Sequence, residues 1–262
     1  MRRLKFLIIS LSIVLFSFFI YLGYRFINHE KSQNKSINKL IGEVTYLNQK
    51  IKQVSDYYDF VTEYESDSFN YFAIGNSLTL IHSWGRGICS TKPDNDYFNI
   101  LLKHFKSKHK KVVAYPYNFC SWERSERRDS TFDLLKPFLK KELNLVTIQL
   151  GENCGSNIDT YQKDLESLIN HVKNTSPNAE IIIIGDWWNI KRNQLRQNAS
   201  INTNCKFADL SLIINKPEYQ SKTGLECCLS DGSIIKVSSA ASTHPGDKGM
   251  EYIAAQVIKL LN

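Results

Sequence analysis

The chain has 262 residues, of which 42% are hydrophobic and 12% aromatic, with 12 glycines and 6 prolines. This excludes collagen-like, low-complexity and wholly disordered classes and leaves room for one or two packed domains. A formal charge of +7 invites a nucleic-acid reading, but residues 1–30 alone carry +3, residues 31–66 balance, and the remaining +4 is scattered without a basic run. The charge therefore describes a solvated surface and implies no nucleic-acid partner.

At the N-terminus, Met1-Arg2-Arg3-Leu4-Lys5 precedes an uncharged, mostly apolar run from Phe6 to Tyr24. As a helix rising ~1.5 Å per residue, this run reaches about 28 Å, close to the hydrocarbon thickness of a bilayer. A cleaved signal peptide has a shorter apolar region and a small-x-small site; here the run closes on Phe18-Phe19-Ile20-Tyr21-Leu22-Gly23-Tyr24. Residues 1–27 are expected to form a cytoplasmic tip and one uncleaved membrane anchor. The basic flank Arg2, Arg3 and Lys5 places everything after Arg25 outside the cytoplasm.

Residues 28–66 read as a helical stalk or linker. Leu40, Val44, Leu47, Ile51, Val54, Tyr58 and Val61 are spaced alternately by four and three residues, a heptad seam of about three repeats. The pattern fits a coiled coil that pairs two copies through residues 37–61, or one amphipathic helix lying on its own domain.

From residue 67 to 262, short apolar runs alternate with helical patterns. Strands are expected at Tyr71–Ile74, Val112–Tyr115, Leu145–Leu150, Ile181–Ile184 and Phe207–Leu210, the fourth being β-branched throughout as suits a strand buried on both faces. Helices are expected at Asp96–Lys108, Phe132–Lys141, Thr160–Asn174, Lys191–Asn202 and Asp247–Leu261. The alternation implies an α/β domain with a parallel sheet covered by helices. In such sheets, the functional groups lie on loops at the carboxyl ends of the strands.

Those loops carry Gly75-Asn76-Ser77-Leu78-Thr79 after the first strand and Gly151-Glu152-Asn153-Cys154 after the third. Ser242-Thr243-His244-Pro245-Gly246-Asp247 stands before the last helix. Taken singly, Ser77 reads as a helix cap, Asn153 as a turn residue and His244 as a loop histidine. Together, a serine, an amide and a histidine are the parts of an acyl-transfer site: nucleophile, oxyanion donor and general base.

These segments resemble the SGNH (GDSL-type) hydrolases. Gly75-Asn76-Ser77-Leu78 is similar to the family's first block with Asn in place of Asp, Gly151-Glu152-Asn153 to its third block, and His244 to the histidine of its fifth. Trp84, Asp96-Tyr97, Trp122-Glu123 and His244 to Met250 look like one bacterial subgroup. The resemblance covers Asn70 to Leu261 and implies a three-layer α/β/α fold with a five-stranded parallel sheet, flavodoxin-like in order, and a site without metal or cofactor. It implies that Ser77 is the nucleophile, His244 its base and Asn153 an oxyanion donor with the Ser77 N–H. Gly151, Ser121, Trp122 and Asn76 would line the oxyanion and substrate side.

Two departures from the pattern stand out. The family's acid lies three residues before the histidine, where this chain has Ala241, so His244 must be oriented by a backbone carbonyl or by an acid from elsewhere, such as Asp231 or Asp247. The second block's glycine is also absent from Tyr117-Asn118-Phe119-Cys120-Ser121-Trp122-Glu123, leaving a backbone N–H near Cys120 or Ser121 as third donor.

Six cysteines (89, 120, 154, 205, 227 and 228) in an extracytoplasmic chain are compatible with disulfides and lack zinc-site spacing. Cys120 and Cys154, on facing loops, fit either a disulfide that stiffens the pocket or two free, buried thiols; six cysteines permit 15 pairings and the sequence assigns none. Trp84, Trp122, Trp187 and Trp188 fall on predicted loops; core packing is the default for such side chains, and around a strand-end cleft their rings also suit the apolar faces of sugars.

The expected protein is a bacterial, membrane-tethered serine esterase that removes O-acyl groups, O-acetyl above all, from a carbohydrate. An O-acyltransferase using the same site and a non-catalytic glycan-binding protein are the alternatives.

Overall fold

The computed structural model describes residues 63–155, 158–229 and 231–261. The expected anchor (1–27) and the heptad seam (37–61) lie outside the described residues. Among the described residues, no helix is long and apolar enough to cross a membrane.

Among the described residues, seven strands and five α-helices occur in chain order: β1 (Phe69–Gly75), α1 (Tyr97–Lys108), β2 (Val112–Asn118), α2 (Cys120–Arg124), β3 (Leu145–Gln149), α3 (Tyr161–Thr175), β4 (Glu180–Ile184), α4 (Ile190–Asn202), β5 (Lys206–Ala208), β6 (Glu226–Cys228), β7 (Ile234–Lys236) and α5 (Asp247–Leu260). The first five strands form one parallel sheet in the order β2-β1-β3-β4-β5, and β6 and β7 form a separate antiparallel hairpin. The expected parallel α/β/α architecture is therefore observed.

The central strands β1, β3 and β4 are buried and apolar at nearly every position, while the edge strands β2 and β5 are partly exposed. Alternate residues face opposite sides. Tyr71, Ala73, Ile182 and Ile184 join Tyr97, Leu101 and Phe105 of α1 and Ile253, Ala254 and Val257 of α5 in one core cluster. The alternating residues Phe72, Ile74, Val146, Ile148, Ile181 and Ile183 are equally buried, as are Leu165, Leu168, Ile169 and Val172 on the apolar stripe of α3. Pro116 lies within β2, where it is tolerated because β2 is an edge strand and one side of it needs no ladder donor.

Strand ends shift by one to three residues, and three elements differ from expectation in kind. The stretch expected as a helix at Phe132–Lys141 is a 3-10 helix over Arg128–Leu135. Pro137 follows closely, and it has no N–H to return to a carbonyl one turn back. The short helix α2 was hidden in what read as a loop. The β6–β7 hairpin turns through Asp231-Gly232, where Gly232 has φ 83° and the Asp231 side chain accepts from Ser233 N at 2.9 Å; strands of three residues are too short to show periodicity.

The order β2-β1-β3 sets the loops that follow these three strands side by side at their carboxyl ends. Two glycines make the approach possible. A Cβ on Gly75 would meet Thr79 Oγ1 at 1.8 Å, and Gly151, at φ +132°, lies where a Cβ would sit 2.5 Å from the Tyr161 hydroxyl.

Candidate active site

Ser77 follows β1 on a tight turn in which Thr79 N and Leu80 N both donate to Asn76 O, at 3.0 and 2.9 Å. The Asn76 side chain shapes the same turn, its Oδ1 accepting from Leu78 N at 3.1 Å. Ser77 is left half-buried, with its Oγ 3.4 Å from His244 Nε2. These two residues are 167 positions apart in the chain.

His244 is held from several directions. Ser221 N donates to its carbonyl at 2.8 Å, Gly246 N donates to Tyr219 O at 2.9 Å, and Trp187 Nε1 donates to Thr243 O at 2.8 Å. Its own N–H and its ring Nδ1 both meet Ala241 O, each at 3.0 Å. Because a carbonyl only accepts, Nδ1 must carry the proton, which leaves the Nε2 lone pair facing Ser77. The residue that stands where the family has its acid thus orients the histidine through its backbone. Its methyl group packs instead against the apolar cluster of Trp84, Cys89, Cys227 and Val237.

Neither acid considered from the sequence serves this role. Asp247 accepts from Thr91 N and Asn95 Nδ2, each at 2.7 Å, and Asp231 binds Ser233. Burial lowers the His244 imidazole below its usual value of 6.5, opposed in part by the bond to Ala241 O.

The third-block residues meet the β2 loop through one side chain that sequence reasoning passed over. Glu123, on α2, is fully buried. Its Oε1 accepts from Gly151 N, from Asn76 Nδ2 at 3.0 Å and from Asn153 N at 3.4 Å, and its Oε2 accepts from Asn153 Nδ2 at 2.6 Å. Glu123 was visible in the sequence only as half of Trp122-Glu123; no periodicity marks a buried carboxylate.

Beside it, Glu152 accepts from Asn76 Nδ2 and Gln149 Nε2 at 2.7 Å each and pairs with Arg196 at 2.8 Å. Burial pushes the Glu152 carboxyl up, against the pull of the Arg196 guanidinium. Arg196 also meets Asp186 at 3.1 Å. Burial would raise the Asp186 carboxyl, but Arg196 and Arg192 together hold it below the usual carboxylate range. The other Asp186 oxygen caps the next turn, accepting from Trp188 N at 2.9 Å and Asn189 N at 2.7 Å.

The expected site residues therefore separate into two groups. Ser77, His244 and the Asn153 amide line one end of the sheet. Asn76 and Gly151 stand behind them: both Asn76 amide hydrogens and the Gly151 N–H are already engaged. Ser121 is 2% exposed, and its Oγ has no partner among the described residues. Trp122 is fully buried against Tyr161 and beneath Arg128, so its ring presents no face to a substrate.

Trp84 and Trp187 are likewise core residues; only Trp188 is half-exposed, its ring set edge-on to His244 at 4.9 Å. A Cys120–Cys154 disulfide is not formed. Both are free thiols, and Cys120 Sγ lies 3.7 Å from Asn153 Nδ2. Among the described residues, no cluster of His, Cys, Asp and Glu has the makings of a metal site.

Two expectations follow from this geometry. Asn76→Asp would set a third carboxylate against Glu123 and Glu152 in place of the two hydrogens they share, and should cost about 3–5 kcal/mol of stability in urea unfolding at pH 7; an unchanged midpoint would contradict the arrangement. The His244 ring, followed by NMR, should titrate with a midpoint below 6.5. A midpoint above 7, as a carboxylate partner would produce, would contradict the carbonyl contact.

No family model matches the sequence, and no curated protein sequence matches it. Solved structures do. The chain is similar to a two-domain esterase (CEX) active on acetylated mannans, at 13% identity over 80% of this chain and 53% of that one, with a TM-score of 0.51. It is similar to phospholipase A1 from Streptomyces albidoflavus NA297, at 10% identity over 73% and 99% of the two chains, TM-score 0.48. It is also similar to a variant of an acetylxylan esterase from Geobacillus stearothermophilus, at 12% identity over 73% and 93%, TM-score 0.49. At these identities the likeness is one of fold. The chain shares the α/β/α fold of the esterase active on acetylated mannans, with Ser77, Asn153 and His244 brought to one end of its sheet.

Proposed function

We propose that this chain is a serine esterase that removes O-acyl groups, acetyl above all, from a carbohydrate. The observation that carries the reading is the contact of Ser77 Oγ with His244 Nε2, in the one tautomer that Ala241 O permits. In the reaction, Ser77 Oγ attacks the ester carbonyl carbon while its proton passes to His244 Nε2. The carbonyl π electrons move onto oxygen, and the oxyanion accepts from the Ser77 N–H and from Asn153 Nδ2. Cys120 N is taken by Asn118 Oδ1 at 3.1 Å, which leaves the Ser121 N–H as the third donor. Collapse of the adduct expels the sugar alkoxide, which takes the proton from Nε2 and leaves acyl-Ser77. Water then repeats the sequence and releases the acid.

A carboxylate behind the histidine would fix its tautomer and stabilise the imidazolium that forms. The Ala241 carbonyl does the first and, being uncharged, only part of the second. Slower turnover than a full triad gives is therefore expected, with the oxyanion donors supplying most of the acceleration. The sugar part of the reading is supported by the half-exposed Trp188 ring beside His244. The fold likeness to an esterase active on acetylated mannans agrees with it. The membrane tether and the extracytoplasmic side rest on the sequence of residues 1–27.

The full chain should hydrolyse 4-nitrophenyl acetate, and Ser77→Ala should lose at least about 1,000-fold of that rate. Equal rates for the two proteins would contradict the esterase reading.

A further inference from the structure

One buried side chain, Glu123, accepts hydrogen bonds from two loops of this site. Glu123 is buried on all sides and has no ion-pair partner among the described residues. Its two oxygens accept from four N–H groups: Gly151 N, Asn153 N, Asn153 Nδ2 and Asn76 Nδ2. Removing a carboxylate from water is costly unless such donors converge on it. The arrangement is therefore specific, and its donors are the loops that follow β1 and β3.

A carboxamide side chain can present either its oxygen or its NH2 to a given point by a half-turn about its last torsion. For Asn153 the two choices are not equivalent. Glu123 Oε2, 2.6 Å from Nδ2, only accepts; turning Asn153 over would set two acceptor oxygens against each other. One Nδ2 hydrogen is thereby committed to Glu123. The other donates to Cys120 Sγ, a weak acceptor, at 3.7 Å. Glu123 Oε1 holds the backbone of the same loop through Gly151 N and Asn153 N. The chain lacks the second-block glycine that the family places on the β2 loop, and α2 occupies that region with this carboxylate.

We infer that Glu123 is the positioning residue of the oxyanion site: it locks the Asn153 amide so that its second N–H, held only by the weak acceptor Cys120 Sγ, is the one a developing oxyanion takes over, and it fixes the Gly151–Asn153 loop. The role rests on the esterase reading. Asn153 acts on the reacting atoms, and Glu123 acts through Asn153.

The test is a double-mutant cycle on the full chain with 4-nitrophenyl acetate, using Glu123→Gln, Asn153→Ala and their combination, with Ser77→Ala as the zero and thermal unfolding as the measure of folding. Gln keeps the shape but substitutes an NH2 for one acceptor oxygen, so Asn153 is free to turn over. Each single change should lower kcat about 100-fold, the loss of one oxyanion donor, with KM nearly unchanged. The double variant should be no slower than Asn153→Ala alone, because both changes remove the same donor. Glu123→Asp, which keeps an acceptor-only group on a shorter arm, should recover part of kcat.

Losses that multiply in the double variant, or a Glu123→Gln protein within threefold of wild-type kcat, would overturn the positioning role. Failure of both Glu123 variants to fold would assign Glu123 to folding alone and also overturn it. Wild-type protein with no Ser77-dependent turnover would overturn the esterase reading itself, and the positioning role with it.

Discussion

The arrangement of the site depends on one buried carboxylate meeting the ends of three adjacent strands. The order β2-β1-β3 brings the loops after these strands together, but adjacency alone does not fix them against one another. Glu123 supplies that constraint. It enters from the β2 side on α2 and accepts from the β1 loop at Asn76 and from the β3 loop at Gly151 and Asn153. A carboxylate in this position has few stable alternatives: withdrawn from any one loop, it would be a buried charge with an unfilled lone pair. The Phe119 N–H donating to Gly75 O at 2.6 Å ties the same loops again through the backbone.

The same constraint accounts for a residue that looked like a simple departure from pattern. Position 76 is Asn where the related first block has Asp. Two carboxylates, Glu123 and Glu152, converge on that side chain and each takes one of its amide hydrogens. An aspartate there would offer no hydrogen to either. Asparagine at 76 and glutamate at 123 are thus two halves of one solution. A second charged chain, Glu152–Arg196–Asp186, carries the order onward beneath the sheet end to the turn that presents Trp188 to His244.

His244 reaches the serine by an unrelated route, from the loop before α5, and is oriented by Ala241 O rather than by an acid. The alanine was legible as a missing carboxylate; that its carbonyl takes over was one of several possibilities open in the sequence. The five sheet strands could be read because each is a short apolar run between polar helices, and Ser77, Asn153 and His244 because they follow strands or precede a helix in a familiar order. What could not be read has physical reasons. Strands β6 and β7 are three residues each, α2 spans five, and neither length sustains a period. The sequence left open whether Trp122 faces a substrate and whether Cys120 and Cys154 pair, because residues between strands need not face the solvent or each other. Trp122 turned inward onto Tyr161, and the two thiols stayed apart.

The most direct test of this arrangement is a crystal structure of the protein after reaction with a 4-nitrophenyl phosphonate ester, whose tetrahedral phosphorus stands in for the carbonyl carbon in the transition state. The phosphorus should be bonded to Ser77 Oγ. One phosphonyl oxygen should lie about 2.7–3.1 Å from both Asn153 Nδ2 and Ser77 N, with Glu123 still bound to Asn153 and His244 Nδ1 still on Ala241 O. A reagent attached elsewhere, or a phosphonyl oxygen turned away from Asn153, would contradict it.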